Sequence, residues 1–173
     1  MAFGEFFSAI EAPALRAVAG HWEQARGAKR MPGWKDINPI ALAPYLLIVW
    51  AWKYDRGSDA FTGRLAGEEI AAIFQKSFRS AAMETFFRDW DYGTIFARHK
   101  RVVAEPAFMR GVGMVFSHAA KYGVGERIDL PLAEDGETGD GILGATTYGL
   151  RPSPDGGRGL PEAREEIEFF TLD

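Results

Sequence analysis

The chain is predicted to fold as an α+β domain: a five-stranded antiparallel sheet with helices on one side and an amphipathic helix at the N-terminus. Three observations predict it. Apolar residues recur at helical spacing before Gly27 and again between Glu68 and Ala104. Beyond Pro106 their period falls from about 3.6 to about 2. The period-2 runs are separated by tight turn chemistry, which suits hairpins and therefore antiparallel neighbours.

In chain order, Phe3, Phe6, Phe7, Ile10, Ala14, Val18 and Trp22 form an apolar stripe, predicting a helix over residues 5–26. Ser8 and Glu11 have capping-box spacing, and Pro13 suits a first helical turn, so the helix can also start near Ala12. Gly27 is a natural stop. The stripe covers a sheet face or forms a homodimer contact. Asp36 and Asn38-Pro39 are candidate caps of a short helix, Ile40–Ala43.

Leu46–Trp52 is apolar on both alternate faces, which predicts a strand covered on both sides. Asp55-Arg56-Gly57-Ser58 is turn chemistry, and Phe61–Ala66 returns as its hairpin partner. Glu68–Phe74 and Ser80–Phe87 read as short helices. Asp91 caps a longer one to about Ala104, with Tyr92, Ile95, Phe96, His99, Val102 and Val103 on its apolar face; Pro106 ends it.

Phe108–Phe116, Ile128–Leu132 and Ile142–Leu150 are the later strands, with turns at Gly123-Val124-Gly125 and Asp135-Gly136. Pro131 lacks a ladder donor, which points to an edge or a bulge. Residues 151–161 have linker composition. The acidic tail to Asp173 suits a strand, a short helix or no fixed structure. The organisation expected is a helix at 1–29, a domain at 30–150, and a linker and tail at 151–173.

At 173 residues, with 47% apolar and 25% charged residues, one globular core is expected. The net charge of −4 argues against nucleic acid as a partner. No cysteine is present, which excludes disulfides and thiolate catalysis and fits a cytoplasmic location. The N-terminus shows no signal-peptide pattern, and Pro44 interrupts the longest apolar run, Pro39–Trp52, which is shorter than the roughly 20 residues a membrane helix needs. No metal partner is expected, since no paired histidines at ligand spacing occur. Gly139-Asp140-Gly141-Ile142-Leu143-Gly144 fits a dinucleotide fingerprint in letters only, because it enters a strand rather than opening a helix.

Several segments carry a family resemblance: His21-Trp22, Arg26-Gly27, Arg30-Met31-Pro32, Asp36-Ile37-x-Pro39, Tyr45-Leu46, Phe61-x-x-Arg64-Leu65-Ala66-Gly67, Glu126–Leu132 and Ile142-Leu143-Gly144. In this order and spacing, over about residues 15–150, the chain resembles a family of short bacterial PAS-domain proteins. It departs from them at Glu68, where a threonine is usual, and at Gln75–Ser80, where they carry a glycine-bracketed stretch. The resemblance implies a PAS fold with a pocket between sheet and helices, serving ligand binding or protein contact rather than catalysis.

Trp50, Trp52, Phe86, Tyr92, Phe96, Phe116 and Tyr148 are the candidate pocket aromatics, and His99 the candidate polar wall. Haem is a minor expectation, resting on the axial histidine that haem-binding PAS domains take from this helix; covalent flavin chemistry is excluded because it needs a cysteine. Asp36 and Arg64 are expected to form a structural ion pair. An Arg64 that lines a pocket instead favours a carboxylate over an apolar ligand. The expected function is a stand-alone cytoplasmic sensor or adaptor, not an enzyme, that signals in trans through a protein partner. The rivals are a cone-shaped α+β enzyme of the steroid-isomerase type, using Asp129 with Tyr148 or Tyr92, and a ligand-free dimerisation scaffold.

Overall fold

The computed structural model describes residues 2–87, 89–118, 121–152 and 165–172. Two helices stand where one was expected, α1 (Ala2–Ala9) and α2 (Pro13–Arg26). Pro13 forces the break: it brings no amide hydrogen and holds Ala12 in extended backbone (φ −70°, ψ 121°). The anticipated local cap does not form, since the Ser8 hydroxyl donates back to the Gly4 carbonyl. A distant carboxylate replaces it. Glu126 accepts from the amides of Glu11 (3.0 Å) and Ala12 (2.8 Å), and the Arg110 guanidinium holds it at 2.6 Å.

After the one-turn helix α3 (Pro39–Leu42), Leu46 and Leu47 are 40% and 50% exposed, so the apolar run is not all strand. A 3-10 turn at Ala43–Tyr45, set by Pro44, delays strand β1 to Val49–Asp55. β2 (Ala60–Ala66) returns through a turn in which Asp55 Oδ1 accepts from the Gly57 amide at 2.8 Å. Helix α4 (Glu68–Phe74) has the expected limits.

Ser80–Phe87 is not a helix. Only a 3-10 turn, Met83–Thr85, forms, because Ser80 and Ala81 bond instead to the outer edge of β2. Gly63 donates to the Ala81 carbonyl and accepts from the Ser80 amide, and a side chain on Gly63 would run into the Phe78 carbonyl. The edge of β2 is thereby covered.

Helix α5 (Asp89–Ala104) leads into β3 (Ala107–His118), β4 (Lys121–Leu132), β5 (Gly141–Pro152) and β6 (Glu166–Thr171). The Asp91 side chain, as a cap, lies outside the described residues. Gly123 and Gly125 are not a turn; they lie within β4, opposite Phe116 and Gly113. Asp135-Gly136 is one, with Gly136 at φ +83°.

The described strands form one antiparallel sheet in the order β2-β1-β5-β4-β3-β6. The early hairpin lies beside β5, as the resemblance implies. Pro131 sits in an interior strand without a bulge at that point: the β3–β4 ladder stops at Met109–Asp129, so a proline two residues on interrupts no bond to β3. The tail supplies a sixth strand. β6 pairs with β3, and its alternation sends Ile167 and Phe169 to one face and Phe170 and Leu172 to the other. Of the predicted linker, Arg151 and Pro152 end β5, and residues 153–164 lie outside the described residues.

Each face of the sheet has its own core. On one, Phe6, Ile10, Val18 and Trp22 pack against Phe108, Ile128, Leu130 and Leu143. Fully burying each such side chain contributes about 1.5–3 kcal/mol. The aromatic stripe of the N-terminus thus covers the sheet. On the other face, α4, the 3-10 turn and α5 lay Ile70, Phe78, Met83, Phe86, Val102 and Val103 on Trp50, Trp52, Phe61, Met109 and Ile142. Among the described residues no helix is long and apolar enough to cross a membrane.

Candidate functional site

The layer between the sheet and α5 gathers eight of the nine residues expected to line a pocket. Trp50, Trp52, Phe86 and His99 are buried, and Tyr92, Phe96, Phe116 and Tyr148 are half-buried around them. The rings pack in two groups. In one, Trp52 lies 4.9 Å from Phe78 and 5.7 Å from Phe86, and Phe74 leads from these to Phe116, which meets Tyr148 edge-on at 5.2 Å. In the other, Trp50, Phe61, Phe96 and Tyr92 gather around His99. Trp50 lies flat over Gly144, where a side chain would collide with the indole, and donates to the Thr146 hydroxyl at 3.0 Å.

Arg64 is the ninth, and it stands elsewhere. Its guanidinium covers the Trp34 ring at 4.6 Å and lines an open cleft of about 490 Å³ with Lys76 and Arg79. The expected Asp36–Arg64 ion pair does not form. Asp36 closes a local loop instead, accepting from Lys29 at 2.6 Å and from the Gly33 amide at 2.8 Å. Partners only a few residues away reach the carboxylate without ordering a second strand around it.

At the centre of the layer stands a polar cluster that the sequence pattern conceals. Asp129 of β4 is fully buried, and neither carboxyl oxygen has a hydrogen-bond partner among the described residues. His99 of α5 faces it, with Nε2 at 3.7 Å from Oδ2. The other ring nitrogen, Nδ1, lies 2.8 Å from the Ile95 carbonyl. A carbonyl only accepts, so Nδ1 carries the proton and a neutral ring turns a bare lone pair towards Asp129. Trp50 and Phe61 flank the imidazole at 5.6 and 5.9 Å.

Beside this pair, Arg127 meets Glu165, the residue preceding β6, with Nε 2.6 Å from Oε1 and Nη2 donating to Oε2 at 2.9 Å. Arg98 of α5 donates to the same carboxylate at 3.0 Å. Arg127 and Asp129 occupy the alternate positions of β4, which read as a water-facing side. They are buried because α5 and Glu165 lie over them, which no local period reveals.

A sequence model of the PAS domain matches residues 10–147, most of the chain. The chain belongs to the PAS domain family. No curated protein and no solved structure matches it. β6 and Glu165 lie beyond the matched PAS region, so the carboxylate that ties β4 to α5 comes from outside it. A haem iron does not fit on His99 Nε2 in this PAS layer, because Asp129 already stands 3.7 Å in front of that nitrogen.

Burial dominates the titration of the pair. It lowers His99 from 6.5 to about 3, with Arg127 adding to the effect. It raises Asp129 from 3.8 to about 7, with Arg127 opposing. Below about pH 6.5 the two are therefore a neutral acid and a neutral imidazole rather than an ion pair, and folding moves a proton from His99 to Asp129. Between about pH 4 and pH 6.5 the folded and unfolded states bind equal numbers of protons here, so the pair adds no pH slope to stability.

Each single substitution should expose a slope. Asp129→Asn leaves His99, whose contribution is complete above pH 6.5 and is lost as pH falls towards about 3. Relative to the unsubstituted protein, this variant should lose about 1.4 kcal/mol per unit of falling pH in that window. His99→Gln leaves Asp129, whose contribution is complete below pH 3.8 and is lost as pH rises through about 7. Its slope has the opposite sign. Urea unfolding at several pH values checks both, and parallel curves for all three proteins would contradict the assignment.

Proposed function

We propose that this PAS domain is a sensory or adaptor module that holds a small ligand between the sheet and α5 and reports occupancy to a protein partner in trans. One observation carries the reading: a fully buried carboxyl with both oxygens unpartnered, facing the lone pair of His99 inside an aromatic layer. Buried polar atoms in native interiors are nearly always satisfied, so a carboxyl without partners calls for one, and in this reading the ligand supplies it. The route outward is short. Arg98 and Arg127, on the two walls of the layer, share Glu165, which leads directly into β6.

The reading is of a non-enzymatic, cytoplasmic module. Of the two tyrosines that the isomerase rival offers as donor beside Asp129, Tyr148 is engaged elsewhere, its hydroxyl donating to the Glu69 carbonyl at 2.6 Å, which leaves that reading Tyr92. The strand order also follows the PAS arrangement. Native mass spectrometry of the purified protein tests the proposal. The expected result is a bound small molecule that is lost on acid denaturation. No adduct, together with no thermal stabilisation by any member of a metabolite library spanning cations, anions and neutral compounds, would overturn it.

A further inference from the structure

We propose that the ligand of this layer carries a protonated primary amine, held between Asp129 and His99. This rests on the ligand-binding reading above and names the ligand's class. Once Asp129 has given up its proton, the two residues offer acceptors only: both carboxylate oxygens, and Nε2 of His99, whose Nδ1 donates to Ile95. Oδ2 and Nε2 stand 3.7 Å apart, so a single nitrogen to one side of the line between them reaches both at about 2.8 Å, the distance usual for charge-assisted hydrogen bonds. A carboxylate would bring further lone pairs to the same point, and an alcohol has a single proton to give. An ammonium has three donors, which matches the three acceptors. Trp50 and Phe61 pack against His99 at 5.6 and 5.9 Å and hold its ring towards Asp129.

The surrounding charges allow it. Arg98 and His99 face the carboxyl from α5, Arg127 from β4, and Glu165 from the segment before β6. Two guanidiniums and one carboxylate leave a single net positive charge while Asp129 holds its proton. Exchanging that proton for an ammonium leaves the total unchanged, so the ligand enters as a substitute for the proton. Binding below neutral pH should therefore release about one proton per ligand.

Isothermal titration of the full chain at pH 6 with butylammonium, butanol and butyrate, matched in size, tests the class. Butylammonium should bind at least about tenfold more tightly than either of the others. Its heat should vary with buffer ionisation enthalpy in proportion to about one released proton. Asp129→Asn should lower its affinity by about tenfold or more, while His99→Gln should lower it less. The proton-release measurement needs no variant and holds even where a substitution impairs folding. Preferential binding of butanol or butyrate would overturn the amine class and leave the ligand-binding reading standing. Butylammonium binding that releases no proton, or no binding of any of the three, would also overturn the class; the ligand-binding reading itself stands or falls on the native mass measurement.

Discussion

Replacing Trp22 with alanine is expected to destabilise the protein by about 3–5 kcal/mol, a large share of the roughly 5–15 kcal/mol usual for a folded domain. Trp22 is fully buried beneath α2, with Phe108 edge-on at 4.9 Å and Phe3 stacked at 6.3 Å. Truncation opens a cavity among side chains fixed by the sheet on one side and by α1 on the other, so little can collapse into it. A polar term adds to this. The indole Nε1 donates to the Pro131 carbonyl at 2.7 Å, and losing that donor inside the core adds about 1 kcal/mol. Trp22→Phe keeps much of the volume and forfeits the hydrogen bond, so it should cost markedly less than alanine. Urea unfolding followed by far-UV circular dichroism reads both. A loss below about 1 kcal/mol for Trp22→Ala would mean that the N-terminal helices ride on the sheet without sharing its core.

Glu165→Ala is the second large effect, expected at about 3–5 kcal/mol, because it strands a buried guanidinium. The Arg127 side chain is only 8% exposed, and Glu165 is its partner at 2.6 Å. The same carboxylate holds Arg98, so its removal also frees α5 from the segment that begins β6. Most of the loss is the penalty of an unpaired charge rather than the worth of the pair. A double variant, Arg127→Met with Glu165→Leu, should therefore recover most of the stability. Denaturation midpoints of Arg127→Met, Glu165→Leu and the double complete the cycle. A double variant no better than Glu165→Ala would show that the charges do more than satisfy one another.

Helix α4 was legible to the residue, because Glu68–Phe74 is bounded by Gly67 and carries its own apolar side. The pairing of the first hairpin with β5 followed from the resemblance in motif order. Local readings failed where a partner from elsewhere took over. Ser8 and Glu11 have the letters of a cap, yet Glu126 from β4 supplies the carboxylate at the break. Ser80–Phe87 has the periodicity of a helix, but the open edge of β2 offered its backbone better partners. Asp36 and Arg64 have opposite charges, and each found a nearer group in Lys29 and Trp34.

The candidate site divides in the same way. Its aromatic members were visible because apolar side chains at helical or strand spacing announce a buried face. Arg127 and Asp129 alternate with Ile128 and Leu130, the ordinary pattern of a half-wet strand, and nothing within β4 marks them as covered. Sequence alone determined the α+β class, most of the strands and the apolar faces, since these follow from the backbone's own repeat and from water's exclusion of hydrocarbon. Which charged residues lie in the dark was decided only when α5 and the C-terminal strand closed over β4, because burial of a charge depends on what lies on top of it, and that comes from parts of the chain far away in order.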